Sequence, residues 1–392
     1  MPEAVIVSAC RTPIGSFMGS LSSLSAPRLG ALAVEEAVKR AGIKKSDVQE
    51  VIMGNVLTAG EGQAPARQAA LFAGLPDSVE CMTINKVCGS GLKAVMLAAQ
   101  AIQLGDADVV VAGGMESMSN APYLLEKGRT GFRMGNAEVV DSMIKDGLWD
   151  VYNQYHMGIA AELCAKECAV PRDAQDEFAI LSYKRAQSAI SEGRFKEEIV
   201  PVTLKSKKGD QVVAHDEEPF KTDFAKIPKL KPAFQEDGTV TAANASKIND
   251  GAAAVVVMSK EKAQQLGVKP IARIIGYASS AKKPEWFTTA PADVIPKVLQ
   301  RIKLKKEDID LFEINEAFAV VALAVNKMLR LDLDKVNVNG GAVALGHPIG
   351  ASGTRILVTL LHALKQRQKR RGMAAICIGG GEAAGMVVEL LT

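Results

Sequence analysis

One pattern occurs twice in this chain. Residues 43–55 read IKKSDVQEVIMGN and residues 304–316 read LKKEDIDLFEINE: an apolar residue, two lysines, a variable position, an aspartate, then a β-branched residue. The parallel continues downstream. Cys88 lies 41 residues after Asp47 and His347 lies 39 after Asp308, each just ahead of a glycine-containing turn and an apolar helical pattern, GLKAVMLAAQAIQL and GTRILVTLLHALKQ. A short apolar strand closing on glycines follows each helix, ADVVVAGG and GMAAICIGGG. Matching strand candidates stand upstream, AVIVSA and IARIIGYA, each followed later by a helix beginning at or near proline. Uninterrupted apolar strands alternating with helices imply sheets covered on both faces, so the repeat predicts two α/β halves, each with a mostly parallel sheet.

Residues 119–249 match neither copy. They hold LLEKGRTGFRMGN, a helix over 172–191 starting after Pro171, a hairpin in PVTLKSKKGDQVVAH, and the lysine-rich, irregular FKTDFAKIPKLKPAF. This stretch is read as an inserted loop domain, the kind of insertion that carries substrate contacts on a rigid scaffold. The division is then 1–118 with 250–270 for the first half, 119–249 for the insertion and 271–392 for the second half. A chain of 392 residues, 48% of them hydrophobic, holds more than one core.

Composition excludes several partners. Aromatics make up 5% and the net charge is +3, too few rings for stacking on nucleic acid and too little charge for a polyanion. The basic run KQRQKRRG at 365–372 is read as a solvated loop. No uninterrupted apolar run of about 18 residues appears, and Arg11 cuts the first one short, so neither a membrane span nor an export signal is expected. A cytoplasmic protein is expected, the alternative being the mature form of a mitochondrial-matrix protein. Six cysteines are too few for a disulfide scaffold, and Cys164 and Cys168 have no further ligands near them for zinc. Cys88 and Cys377 are therefore judged as chemistry.

In INKVCGSGLKAV, Cys88 precedes a helix, whose first-turn N–H groups and positive dipole end lower a thiol pKa, and the thiolate is the nucleophile. The glycines beside Ser90 let a substrate approach the backbone. A buried structural cysteine beside a packing Gly-x-Gly is the alternative. NGGAVALGHPIGASG surrounds His347 with glycines, giving it little apolar packing and much backbone access. CIGGGEAAG ends a strand in three glycines whose N–H groups suit an anion nest. EINEAFA sets Asn315 and Glu316 at a strand end, where polar groups either cap the next helix or face a ligand.

The blocks VCGSG, NEAF, GHPIGASG and CIGGG, in this order and at these spacings, resemble the thiolases, specifically the short-chain, acetyl-transferring biosynthetic type; the likeness runs from VIVSACRTPIGSF through GGMESMS to GGGEAAG. The resemblance implies a duplicated thiolase fold, a five-layered αβαβα arrangement of two mixed sheets with parallel cores, plus an inserted loop domain that binds coenzyme A. It implies a reversible Claisen condensation of two acetyl-CoA to acetoacetyl-CoA and CoA, with no required cofactor. Cys88 becomes the acetylated nucleophile, His347 its base and Cys377 the acid-base thiol. Asn315, with His347, and the N–H groups of Cys88 and Gly379 become the two oxyanion sites. Leu148, Phe234, Ser246 and Phe318 line the pantetheine channel, His156 of YHMG contacts the substrate thioester, Met157 beside it also meets substrate, and Lys221 points to the phosphates, although bacterial members often carry Arg near EEPFK.

A potassium-binding subgroup of the family matches at Tyr183, Ala242, Ala243, Ala245 and Val343. Phe287 falls where that subgroup accepts a 2-methyl branch, with Thr288 in place of its usual proline. Members are dimers or tetramers, and GRTGFRMG resembles a tetramerising arm, so a homotetramer built as a dimer of dimers is expected. A broad 3-ketoacyl-CoA thiolase and an inactive acyl-CoA-binding paralogue are the competing readings.

Overall fold

The computed structural model describes residues 2–207 and 209–391. The strands that build its sheets are β1 (Ala4–Arg11), β2 (Glu50–Gly54), β3 (Glu80–Ile84), β4 (Val109–Ser117), β5 (Asn249–Ser259), β6 (Ala272–Ala281), β7 (Leu311–Ile314), β8 (Arg371–Ile378) and β9 (Glu382–Leu390). The helices are α1 (Ala26–Ala41), α2 (Pro65–Phe72), α3 (Ser90–Leu104), α4 (Met157–Glu167), α5 (Arg172–Ser191), α6 (Lys260–Leu266), α7 (Pro291–Arg301), α8 (Ala319–Leu329), α9 (Ala342–Leu345) and α10 (Ile349–Gln366).

Hydrogen-bonded neighbours run β7–β8–β9–β6–β1–β5–β4–β2–β3, with the short strand Gly15–Ser16 against β5. The sheets of the two halves meet through β1 and β6, where Val5 pairs with Arg273 and Ile6 with Ala272. The sheets are mixed, and parallel pairing is narrower than the repeat led us to expect. It holds for β2 with β3, β2 with β4, and β7 with β8. The remaining ladders are antiparallel for two physical reasons. The glycines after β8, with Gly380 at φ 88° and Gly381 at φ 86°, turn the chain straight back into β9 as a hairpin. And β5, returning from the long insertion, lies antiparallel between β1 and β4.

Period-two alternation explains why the strands read as continuous apolar runs. Val109 and Val111 of β4 pack with α1 and α2 on one face, whereas Val110 and Ala112 pack with α3 and α10 on the other. In β8, Ala374 and Ile376 join that same central layer, while Met373 and Ala375 meet α7. The layers are therefore α1 and α2, the first sheet, α3 and α10, the second sheet, then α7 and α8. By composition the stretch Val87–Leu104 is long and apolar enough to cross a bilayer; here it is the central layer, covered by both sheets. The two middle helices cross in close contact: a Cβ on Gly91 would lie 2.8 Å from Thr354 N, and one on Gly353 would lie 2.3 Å from Leu92 N. Gly91 thus serves helix packing. A Leu92→Ala change in this layer costs about 2–5 kcal/mol.

The repeated lysine–aspartate signature has one structural job in both halves. Asp47 accepts from Lys44 N at 2.8 Å and Asp308 from Lys305 N at 2.7 Å, closing a single 3₁₀ turn ahead of β2 and of β7. The second lysine then reaches the end of the next helix, Lys45 Nζ to Ala73 O at 2.5 Å and Lys306 Nζ to Leu329 O at 2.8 Å, where a cation meets the helix's unpaired carbonyls. In the insertion, Arg172–Ser191 is helical as read from sequence, and Val202–Leu204 pairs with Gln211–Val213; Lys208 of PVTLKSKKGDQVVAH lies outside the described residues. Tyr123–Leu124 pairs with Val140–Asp141 and closes the base of the 125–139 loop.

Candidate active site

The loop between β3 and α3 is bent by side-chain hydrogen bonds. Asn85 Oδ1 accepts from Val87 N at 2.9 Å, and Ser90 Oγ accepts from Lys86 N at 2.8 Å while donating to Val87 O at 2.6 Å. Val87 is held at φ 45°, left-handed space that a β-branched residue avoids, at a cost on the order of 1–3 kcal/mol. This turn presents Cys88 half-buried, its sulfur accepting from its own N–H and that of Gly379. Burial outweighs these donors and pushes the Cys88 thiol up to about 11, with Glu116 adding to the rise. The helix position therefore does not leave a free thiolate, a correction to the sequence reading: desolvation of an anion exceeds what two N–H donors and a helix end return. Gly89 is likewise a packing residue, since a Cβ there would meet Ile378 Cδ1 at 2.3 Å.

His347 is buried between α9 and α10, with 5% of its surface exposed, so the expectation of open backbone access gives way to a tightly bonded ring. Gly346, at φ 111°, passes directly against Asn249, whose Oδ1 accepts from His347 N at 2.9 Å. Ser352 Oγ donates to Pro348 O at 2.8 Å, so its contact with His347 Nδ1 at 2.6 Å is one in which the ring donates. That fixes the proton on Nδ1 and leaves Nε2 as a lone pair, facing Asn315 Nδ2 at 3.4 Å. Burial, helped by Arg355, lowers His347 to about 3. A neutral imidazole with its base nitrogen turned inward results.

Asn315 ends β7, its backbone N bonded to Ala375 O at 2.9 Å. Its side chain is fully buried and Oδ1 has no hydrogen-bond partner among the described residues, which favours a ligand-facing group over a helix cap. Cys377, at the end of β8, is completely buried; desolvation raises its thiol and a charge on Cys88 raises it further, while its own N–H and that of Ala317 act the other way. Beneath these groups lies Glu116, which accepts from Val56 N and Leu57 N at 3.1 Å, Gly350 N at 2.8 Å and Asn55 Nδ2 at 2.9 Å. Burial lifts its carboxyl to about 7. Glu316 plays a similar anchoring part, accepting from Ser182 Oγ, Asn337 Nδ2 and Val343 N.

A ring cluster leads away from this centre. His156 stacks on Phe234 at 4.8 Å, Phe234 meets Phe318 edge-on at 6.2 Å, and Phe287 meets Phe318 at 6.5 Å. His156 also caps α4, its Nδ1 accepting from Gly158 N at 3.0 Å, and burial lowers its pKa. Met157, Phe318 and Cys377 belong to one apolar cluster, and Leu148 and Cys88 both pack against another that contains Ile349. A cavity of about 480 Å³ is lined by Lys221, Phe234, Ala242, Ala245, Ser246 and Lys247, among others. A larger hollow of about 640 Å³ beside Arg40 and His362 shares none of these residues, so it is the chemistry of the lining that selects the first. Lys221 Nζ bonds Ser16 Oγ and lies 3.7 Å from Glu218, at the cavity's edge.

Two segments match thiolase models: residues 4–261 the N-terminal domain and residues 268–390 the C-terminal domain. The chain belongs to the thiolase family. Among similar proteins, an acetyl-CoA acetyltransferase of Cupriavidus necator is 57% identical, over 99% of this chain and all of its own length. A mitochondrial acetyl-CoA acetyltransferase of Bos taurus is 57% identical, over 99% of this chain and 92% of its own. The crystal structure of a Bacillus anthracis acetyl-CoA acetyltransferase superposes with TM-score 0.98 at 44% identity, covering 100% of this chain and 99% of that one. A thiolase from Ascaris suum, solved in complex with coenzyme A, gives 0.94 at 48% identity, covering 99% of this chain and 100% of that one.

In this thiolase the residues expected around potassium surround a lysine ammonium instead of an open cation site. Ala242 and Ala245 line the cavity, Tyr183 and Ala243 are buried, and Val343 lies in α9. However, the Ala245 and Val343 carbonyls already accept from Lys247 Nζ, at 2.9 Å and 3.3 Å. An ammonium on those oxygens does not fit a metal cation in the same place. Sequence reasoning also missed Glu116, Asn249, Ser352 and Lys247. GGMESMS contains Glu116 among residues quoted only for their likeness, and Ser352 sits five residues from His347 in GHPIGASG, a spacing that brings the two together at the start of α10.

Proposed function

We propose that this thiolase is an acetyl-CoA C-acetyltransferase that condenses two acetyl-CoA to acetoacetyl-CoA and CoA, and catalyses the reverse. The observation that carries this reading is the grouping of a thiol under the Gly379 N–H, a second thiol electrostatically linked to it, and a neutral imidazole with a fixed tautomer beside the unpartnered Asn315 carbonyl. In the synthetic direction the Cys88 sulfur attacks the acetyl thioester as its proton passes to His347 Nε2. The N–H groups of Cys88 and Gly379 receive the developing oxyanion. CoA leaves with that proton, and acetyl-Cys88 remains.

For the second step the Cys377 proton passes to His347 as the Cys377 sulfur takes an α-proton from a second acetyl-CoA, so that no separate thiolate precedes the transfer. The enolate oxygen is held by His347 and by Asn315, the latter through water. The carbanion attacks acetyl-Cys88, releasing acetoacetyl-CoA, and the proton on His347 returns to Cys88. A thiol near 11 beside an imidazole near 3 holds no resting ion pair, so proton transfer accompanies attack instead of preceding it.

CoA enters along His156, Met157, Leu148, Phe234, Ser246 and Phe318, with Lys221 at the phosphate end. Phe287 packs on Phe318 behind that channel, which supports short acyl chains over a broad 3-ketoacyl-CoA specificity. Residues 119–249 act as the CoA-binding insertion on two catalytic halves, 1–118 with 250–270 and 271–392. The exposed Phe132, Met134 and Val139 of the 125–139 loop support association into a homotetramer, with light scattering as the check. Brief exposure to acetoacetyl-CoA followed by peptide mass spectrometry tests the reading. An acetyl group on Cys88 is expected; acetyl on another cysteine, or none, overturns it.

A further inference from the structure

Two loops that build the site are joined by a cation belonging to the chain itself. Lys247 Nζ donates to Ala245 O at 2.9 Å and Val343 O at 3.3 Å, and lies 5.5 Å from the centre of the Tyr183 ring. Ala245 belongs to the cavity wall with Phe234 and Ser246. Val343 lies in α9, four residues before His347. The ammonium therefore ties the wall that would meet the pantetheine to the loop that carries the base. Its surroundings suit a monovalent cation: two carbonyl oxygens and an aromatic face, with the Tyr183 hydroxyl buried and without a hydrogen-bond partner among the described residues.

We propose that Lys247 is a positioning residue whose tethered ammonium takes the place of an alkali-metal ion, clamping residues 239–248 to the His347 loop and making this protein independent of potassium. A potassium ion and an ammonium group carry the same charge and both are satisfied by carbonyl oxygens, so like-charge repulsion and shared ligands prevent both from occupying one site. The tether removes the entropy of capturing an ion from solution. This inference rests on the acetyl-transfer reading only for its kinetic readout.

The test compares the wild type with Lys247→Ala, which leaves room for an ion, and Lys247→Met, which fills the space without charge. KM for CoA, kcat and the melting midpoint are measured in potassium, sodium and choline chlorides at equal ionic strength. The wild type should be indifferent to the cation. Lys247→Ala should show KM raised about tenfold in choline, the loss of one charge-assisted hydrogen-bonded clamp, with KM and midpoint both restored by potassium. Lys247→Met should stay impaired in every salt. Saturable activation of the wild type by potassium, an unaltered Lys247→Ala variant, or equal salt responses of the two variants would each overturn the proposal. If the wild type transfers no acetyl group, the functional reading fails, while the melting midpoints still decide the cation's place.

Discussion

The aspartates of the two repeats, Asp47 and Asp308, do the same work, and the residues each copy delivers downstream, Cys88 and His347, do opposite work. Both halves close a 3₁₀ turn, cap a helix with the second lysine and send an apolar helix into the central layer. The first copy strains Val87 to lift a thiol to partial exposure. The second buries its imidazole and fixes one tautomer through Ser352 and Asn249. A duplicated scaffold thus fixes where a reactive loop stands, and the few residues at its tip decide whether that loop offers a nucleophile or a base.

The comparison breaks most sharply at the tips. Cys88→Ala should abolish turnover and the acetyl adduct together, whereas His347→Ala should slow acetylation by about 10²–10⁴, the usual worth of a positioned base, in single-turnover assays. Asn315→Ala should lower kcat by roughly 10²–10³, as for loss of one oxyanion donor, yet still permit acetylation of Cys88; an unchanged kcat would return Asn315 to a capping role.

The two loops also set opposite limbs of the stability profile. His347 is lowered to about 3 from its usual 6.5, so the unfolded chain takes up its proton first on acidification; the imidazole's contribution is full above pH 6.5 and drains as pH falls toward 3. At pH 5 that amounts to about 2 kcal/mol at most. Cys88 is raised to about 11 from 9, so stability drains instead as pH rises through that window, where the unfolded chain ionises and the fold does not. Denaturant titrations of His347→Gln and Cys88→Ser against wild type should flatten the acid and alkaline limbs respectively. Taking differences matters, because buried Glu116 and Glu313, raised to about 7 and 8, drive the acid side the other way. The smallest effect sharpens the likeness: Asp47→Ala and Asp308→Ala should each cost about 1 kcal/mol, in near-equal amounts, by loss of equivalent caps.

Much of this was legible in the residues. The repeat announced two α/β halves because its signature is local: an aspartate closing a turn leaves a mark within four positions. Helix Arg172–Ser191 and strands β1, β4, β6 and β8 were equally plain, since their patterns span whole elements. The antiparallel β5 and β9 were not, because strand direction depends on where a connection returns. At the site, Cys88, His347, Cys377 and Asn315 stood in distinctive glycine-rich or polar contexts. Glu116, Asn249 and Lys247 did not, since Val56, His347 and Val343, which they join to the site, lie 60, 98 and 96 residues away and nothing near them in sequence names those partners. The thiol's ionisation was misjudged for the same reason: a helix end is visible in sequence, and the amount of water removed around a sulfur is not.

Strand β1 pairs Ala4 with Ser259 and Val5 with both Met258 and Arg273. Strand β1 therefore has no partner strand in its sheet until β5 is made, Ala253 following its partner Arg11 by 242 residues. Assembly of this molecule is a matter of waiting: β1 stays without its sheet partners while the whole insertion is synthesised, and its docking joins the two sheets.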